Sequence, residues 1–213
     1  MTRIILVRHG HVPGIEPERF RGNVNLDLTA RGLLEAQLTA QRIARYWQPA
    51  IVYTSPRQRC IDTGRFIAER CAVASQVLEG MTDLDYGAWQ ESTHAEIRQA
   101  YPDAYQRWRK YPDLIRFPGG DSLQQLSARV ADALRLIVAN HPRQSVVVVG
   151  HDSSCRALLL LALGLPLGAY WRITQHPCGL SEILVGEDDM VVLRVNDTAH
   201  IDGIANSPAP GLP

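Results

Sequence analysis

Ile4-Ile5-Leu6-Val7-Arg8-His9-Gly10 is the stretch whose reading decides the fold. A run of consecutive apolar residues, mostly β-branched, predicts a strand covered on both faces, the environment of a parallel sheet. Ligands of such sheets bind beyond the carboxyl ends of the strands. Arg8 and His9 therefore leave the sheet at the edge where active sites form, and Gly10 lets the backbone turn or approach a ligand closely. A second run, Val146-Val147-Val148-Val149, arrives at Gly150-His151 in the same way. Two buried strands thus each deliver a histidine from an equivalent position.

Strand and helix signals alternate through the rest of the chain. Thr29 is a predicted N-cap for a helix to about Tyr46, with Leu33, Leu34, Leu38 and Ile43 on one face. Ile51-Val52-Tyr53 reads as a short strand, and Ser55-Pro56 as the start of the next helix, with proline at its favoured first position. Residues 81–120, rich in Gly, Pro, Trp and Tyr, read as a cap of irregular segments and short helices. Ser122 caps a predicted long helix to about Asn140, and another helix spans Ser153 to Gly164. Two late strands follow, near 182–185 and 190–195, and beyond Asp197 the composition predicts a loose tail. The pattern predicts a three-layer α/β/α sandwich with a mostly parallel central sheet and a small cap insertion. It is read as one domain over residues 1–200, with the cap at about 81–120 and a C-terminal tail at 201–213.

Composition narrows the function. Lys+Arg and Asp+Glu both number 22, so no global field favours nucleic acid or an anionic membrane, and any anion selectivity must be local. Cys60, Cys71, Cys155 and Cys178 form no CxxC pair, which argues against a zinc cage or a disulfide framework and for a reduced cytoplasmic protein. Neither a secretory signal nor a membrane-length apolar run is present. The oligomeric state is not legible, and a homodimer is left open.

Ser55-Pro56-Arg57-Gln58-Arg59 places two arginines at the start of a helix, where backbone N–H groups already favour anions. Arg8, His9, Arg59 and His151 together would make a compact cationic pocket whose guanidinium forks match phosphoryl oxygens. A metal site on His9, His11 and His151 is the competing reading. Arg8 and Arg59 would then set positive charge against a cation, and no carboxylate pair accompanies the histidines.

In these motifs the chain resembles the histidine phosphatase superfamily, which includes cofactor-dependent phosphoglycerate mutases and small-molecule phosphatases. Arg8-His9-Gly10 matches its signature, Arg19-Phe20-Arg21-Gly22 with Asp27-Leu28-Thr29 and Gly32 the following segment, and Ser55-Pro56 with Arg59 and Thr63 its second motif. Asp83 with Tyr86, Gly87 and Trp89 matches the segment of the acid, Pro118 and Gly120-Asp121-Ser122 with Arg129 the next, and Gly150-His151 with Arg156 the second histidine motif. The resemblance implies His9 as a nucleophile forming a phosphohistidine, and Arg8, Arg59 and His151 around the phosphoryl oxygens. It implies Asp83, rather than Asp85, as general acid and base, with a pKa raised by burial near Tyr86 and Trp89. Arg21, Gly22, His11, Tyr86 and Asp152 complete the expected binding set, with a small phosphorylated metabolite as substrate and no metal or cofactor.

Three departures from the family pattern stand out. Ile15 replaces an Asn of the phosphate pocket, His11 stands where an acid is common and would add a donor near the entrance, and Asp152 replaces a Gly. A carboxylate at Asp152 would repel phosphate unless it points away or orients His151. The mutase alternative requires a second phosphate grip. Its lysine position corresponds to His94, and Arg107, Arg109 and Lys110 offer no clear match to its paired arginines, so hydrolysis is the favoured outcome. A non-catalytic phospholigand-binding protein is the further alternative. Tyr86, Trp89, Tyr105 and Trp108 are candidate linings of the leaving-group pocket, with ordinary packing as the competing role of each. An aromatic lining would suit a sugar, nucleoside or aryl phosphate.

Overall fold

The computed structural model describes residues 1–204. Six strands form one sheet: β1 (Thr2–Arg8), β2 (Val52–Thr54), β3 (Ser75–Val77), β4 (Ser145–Gly150), β5 (Leu180–Val185) and β6 (Met190–Asp197). Their spatial order is β3-β2-β4-β1-β5-β6. The first four in that order are parallel, and β5 and β6 add an antiparallel edge. β1 and β4 lie side by side in register, Arg8 opposite Gly150, so the two histidines leave neighbouring strands at the same edge. Ile4 to Val7 and Val146 to Val149 are fully buried, as strands covered on both faces must be.

Helices cover both faces. Helices α1 (Ala30–Tyr46) and α2 (Gln58–Cys71) pack Ala40, Ile43, Ile67 and Ala68 on Ile5, Val7, Val147 and Val149. On the opposite face, α5 (Leu123–Asn140) and α6 (Asp152–Ala162) pack Leu126, Val130, Leu158 and Leu159 against Ile4, Leu6, Val146 and Val148. The cap carries α3 (His94–Ala100) and α4 (Pro102–Lys110). Trp89, Trp108 and Phe117 are its buried centre, with ring centroids 5.1 Å apart for both Trp89–Phe117 and Trp108–Phe117. No helix among the described residues is long and apolar enough to cross a membrane.

Local expectations hold at the caps and fail in four places. Thr29 accepts from the Gly32 amide, and Ser122 forms a reciprocal capping box with Gln125, as read. Leu33 and Leu34, however, are exposed, and the packed face of α1 is Gly32, Glu35, Ala36, Thr39, Ala40 and Ile43. Small residues are needed there because the helix start lies directly on the loop after β1; a Cβ at Gly32 would meet the His11 carbonyl oxygen at 2.1 Å. α2 begins at Gln58 with Arg57 as N-cap, so Pro56 precedes the helix instead of opening it. β3 was not legible: its three residues are exposed at the sheet edge and carry no apolar alternation. The tail does not loosen at Asp197, because Ile201 is buried beside Val12 and Cys178. The expected tail beyond residue 204 lies outside the described residues.

Candidate active site

His9 is the first residue beyond β1, and its amide donates to the Gly150 carbonyl across the β1–β4 edge, 2.9 Å away. Its ring is buried, with Nδ1 2.7 Å from the Gly10 carbonyl oxygen. A carbonyl only accepts, so Nδ1 carries the proton and Nε2 presents a lone pair. Burial, followed by Arg59, His151 and Arg8, holds the imidazole well below its ordinary pKa of 6.5. His9 is therefore neutral and nucleophilic at physiological pH.

Arg59, fully buried in the first turn of α2, ties the site together. Its Nε lies 3.2 Å from both His9 Nε2 and His151 Nδ1. The rest of its fork is spent on the protein: the Val24 and Gly22 carbonyls at 2.6 and 2.8 Å, and Asp83 Oδ2 at 3.0 Å. Gly22 has a φ of +48°, and a Cβ there would meet Gln90 Oε1 at 2.5 Å, so this position serves to bring a carbonyl to Arg59. His151 rests with Nε2 2.7 Å from Ser55 Oγ, and its rings meet those of His9 edge to face at 5.3 Å. Burial, Arg59 and Arg8 hold it neutral as well, well below its ordinary value. Arg8 donates to the Gln175 carbonyl, while its buried Nε has no hydrogen-bond partner, leaving one donor for a ligand oxygen.

Asp83 is buried with its Oδ1 held by the Ser153 hydroxyl and the Leu84 amide, 2.9 Å away, and its Oδ2 lies 3.5 Å from His151 Nδ1. Polar donors surround this carboxyl where aromatic faces were expected. Trp89 is instead packed in the cap core, and Tyr86 faces the same cleft as Asp83. Asp85, the competing acid, accepts from the Gly87 amide at 2.8 Å and is a turn residue.

A narrow cleft opens onto this group, lined by His9, Asp83, Arg21, Tyr86, Asp152 and, from residues not singled out in sequence, Glu18 and Trp171. Arg19, Phe20, His94 and Trp108 complete its wall. Arg21 is steadied by the Gly14 carbonyl at 2.5 Å. Trp171 was invisible to the motif reading because it lies in a short 3-10 segment, Leu167–Arg172, that belongs to none of the motifs. Ser153, which holds Asp83, sits in the same first turn of α6 that His151 caps; its spacing from His151 was the available signal.

Two expectations need correction. His11 is not among the residues lining the cleft; its ring lies 3.0 Å from Thr29 Oγ1 and its amide donates to Glu35, pinning the post-β1 loop to α1. Asp152 does face the cleft, yet it neither points away nor orients His151: its Oδ2 pairs with Arg156 at 2.9 Å and its Oδ1 lies 3.7 Å from Arg8. The repulsion feared for phosphate is thereby neutralised. Ile15 fills a small apolar cluster with Val12, Leu28, Ala36, Cys178 and Ile201, a packing role that explains an apolar side chain there.

A parallel sheet whose edge gathers two neutral histidines, a shared arginine and a carboxyl beside one narrow cleft, with His9 and Asp83 in its wall, defines a phosphoryl-transfer site of the α/β class. The chain belongs to the histidine phosphatase superfamily (branch 1), whose family model matches residues 4–198. It is 31% identical over 201 residues to phosphoserine phosphatase 1 of Hydrogenobacter thermophilus, covering 94% of this chain and 95% of that one. It is 32% identical over 178 residues to a metal-independent phosphoserine phosphatase of Arabidopsis thaliana, covering 82% and 70%. Among solved structures, Bacillus stearothermophilus YhfR superposes with a TM-score of 0.90 at 25% identity, covering 95% of this chain and all of that one.

Proposed function

We propose that this small-molecule phosphatase hydrolyses a phosphorylated amino acid, of which phosphoserine is the first to test, through a phosphohistidine on His9 and without a metal. The observation that carries the mechanism is the His9 ring itself, neutral, with Nδ1–H committed to Gly10 and Nε2 facing the cationic group. In the first step the Nε2 lone pair attacks phosphorus, the ester P–O bond breaks, and Asp83 delivers a proton to the departing alkoxide. In the second, Asp83 takes a proton from water as the water oxygen displaces His9, releasing inorganic phosphate. Arg8, Arg59 and His151 stabilise the equatorial oxygens throughout.

The leaving-group side supports the substrate class. Phe20, Tyr86, Trp108 and Trp171 supply apolar walls, while Glu18 and Arg19 place opposite charges along the rim, a pairing suited to an ammonium and a carboxylate. The two phosphoserine phosphatases it resembles support the same reading. Hydrolysis is favoured over a mutase reaction because Arg107, Arg109 and Lys110 do not line the cleft; Arg109 lies over the Trp171 ring at 4.1 Å. We place the enzyme in the cytoplasm, a location consistent with its four free cysteines.

Turnover of an aryl phosphate and of phosphoserine, with and without chelator, tests the proposal, with a phosphoglycerate mutase assay alongside. Chelator-resistant release of phosphate, an acid-labile phosphoenzyme in the wild type, and loss of both in His9→Ala are expected. Phosphate binding without turnover would instead mark a binding protein.

A further inference from the structure

A cavity of about 880 Å³ lies apart from the catalytic cleft. It lies at the opposite edge of the sheet, about 20 Å away along a seven-residue strand. Its wall includes Arg42, Arg45, Tyr46 and Arg70 and no acidic residue. A second basin of about 680 Å³ shares Arg45 and Tyr46 with it and adds Arg3 and Arg143, again with no acidic residue. In a chain whose formal net charge is zero, this is a strong local excess of positive charge.

Some of these arginines already have partners. Arg3 and Arg194 pair with the buried Glu182, and Arg42 pairs with Asp197. Arg45, Arg70 and Arg143 have no carboxylate partner within ion-pair distance among the described residues, and all three are exposed. Arg45 and Arg70 stand in the last turns of α1 and α2, where the helix dipole favours a cation. The dipole does not explain Arg143, in the turn before β4, or the absence of any acid from both linings. Between the basins stands Tyr46, 63% exposed, with the Arg42 and Arg45 guanidinium groups 6.0 and 5.4 Å from its ring centre.

We propose that this corner is a second, non-catalytic site for a nucleoside polyphosphate. The forks of Arg45, Arg70 and Arg143, free of carboxylate partners, take the phosphates, and the Tyr46 ring, 63% exposed, takes the base. Basins of these volumes fall in the range that small molecules occupy. The proposal rests on none of the catalytic residues and stands or falls separately from the phosphatase reading.

Calorimetric titration of the full chain with α,β-methylene-ADP, and separately with inorganic pyrophosphate, tests it. Binding is expected to persist in Arg8→Ala, which weakens the catalytic cleft. It is expected to weaken at least ~10-fold in the Arg45→Glu, Arg143→Glu double variant through lost charge-assisted hydrogen bonds. The double variant is expected to hydrolyse aryl phosphate at the wild-type rate, showing that it is folded. Absence of binding to the wild type, survival of binding in the double variant, or its loss in Arg8→Ala would overturn the second site. Equal affinity for pyrophosphate together with an unaffected Tyr46→Ala variant would overturn the nucleotide assignment.

Discussion

At the residue scale, function depends on the protonation states that burial imposes. His9 is held neutral by desolvation and by Arg59, His151 and Arg8, so the acid limb of kcat/KM that reports the free nucleophile is expected well below pH 6.5. A pH–rate profile with an aryl phosphate measures it; an inflection at the ordinary histidine value would show that His9 is not the group titrating. Asp83→Asn keeps the shape and removes the proton transfer, and is expected to lower kcat about 10²–10⁴-fold. Ser153→Ala removes one hydroxyl donor from the same carboxyl and is expected to lower kcat by about ten-fold, with KM little changed. His9, Arg8, Arg59 and Asp83, to which the proposed roles of nucleophile, phosphate grip and acid fall, were legible as residue types in ordered motifs. Ser153, Gln175 and Trp171 were not, because their contributions are a hydroxyl, a backbone carbonyl and a wall that only folding brings near.

At the element scale, the site depends on close backbone approach. A Cβ at Gly10 would meet the Gly32 carbonyl oxygen at 2.6 Å, and one at Gly32 would meet the His11 carbonyl oxygen at 2.1 Å, so the loop carrying His9 and the start of α1 touch backbone to backbone. Gly32→Ala is expected to destabilise the fold by about 1–3 kcal/mol through this overlap and to lower activity by displacing the loop. Urea denaturation alongside kcat/KM would read both effects. The same contact explains why Leu33 and Leu34, two of the residues on the face predicted for α1, are exposed while Ile43 is buried. Helix periodicity marks apolar positions, but it cannot show that the partner surface demands glycine and alanine. The aromatic cap shows a complementary case: Trp108 is fully buried among Phe117, Tyr170 and Trp171 while also lining the cleft, so one side chain serves both the cap core and the cleft wall. Trp108→Ala is expected to cost about 3–5 kcal/mol of stability.

At the scale of the whole molecule, the two buried histidines couple stability to pH. Both have folded-state values depressed below the 6.5 of the unfolded chain, so the unfolded state binds protons that the folded state refuses. Their contribution is complete above about pH 6.5 and is lost as the pH falls below it. The urea midpoint is therefore expected to fall between pH 7.5 and pH 5.5, and less so in His9→Ala; an unchanged difference in that variant would assign the acid sensitivity elsewhere. Buried strands, their histidine exits and the alternation of strand and helix belong to local sequence, because apolar runs and turn chemistry act within a few residues of themselves. The neighbouring placement of β1 and β4, the sharing of Arg59 between two rings, the Asp152 ion pairs and the basic corner around Tyr46 belong to tertiary structure. They join residues more than a hundred positions apart in some cases, and only sheet pairing and layer packing decide which distant side chains meet.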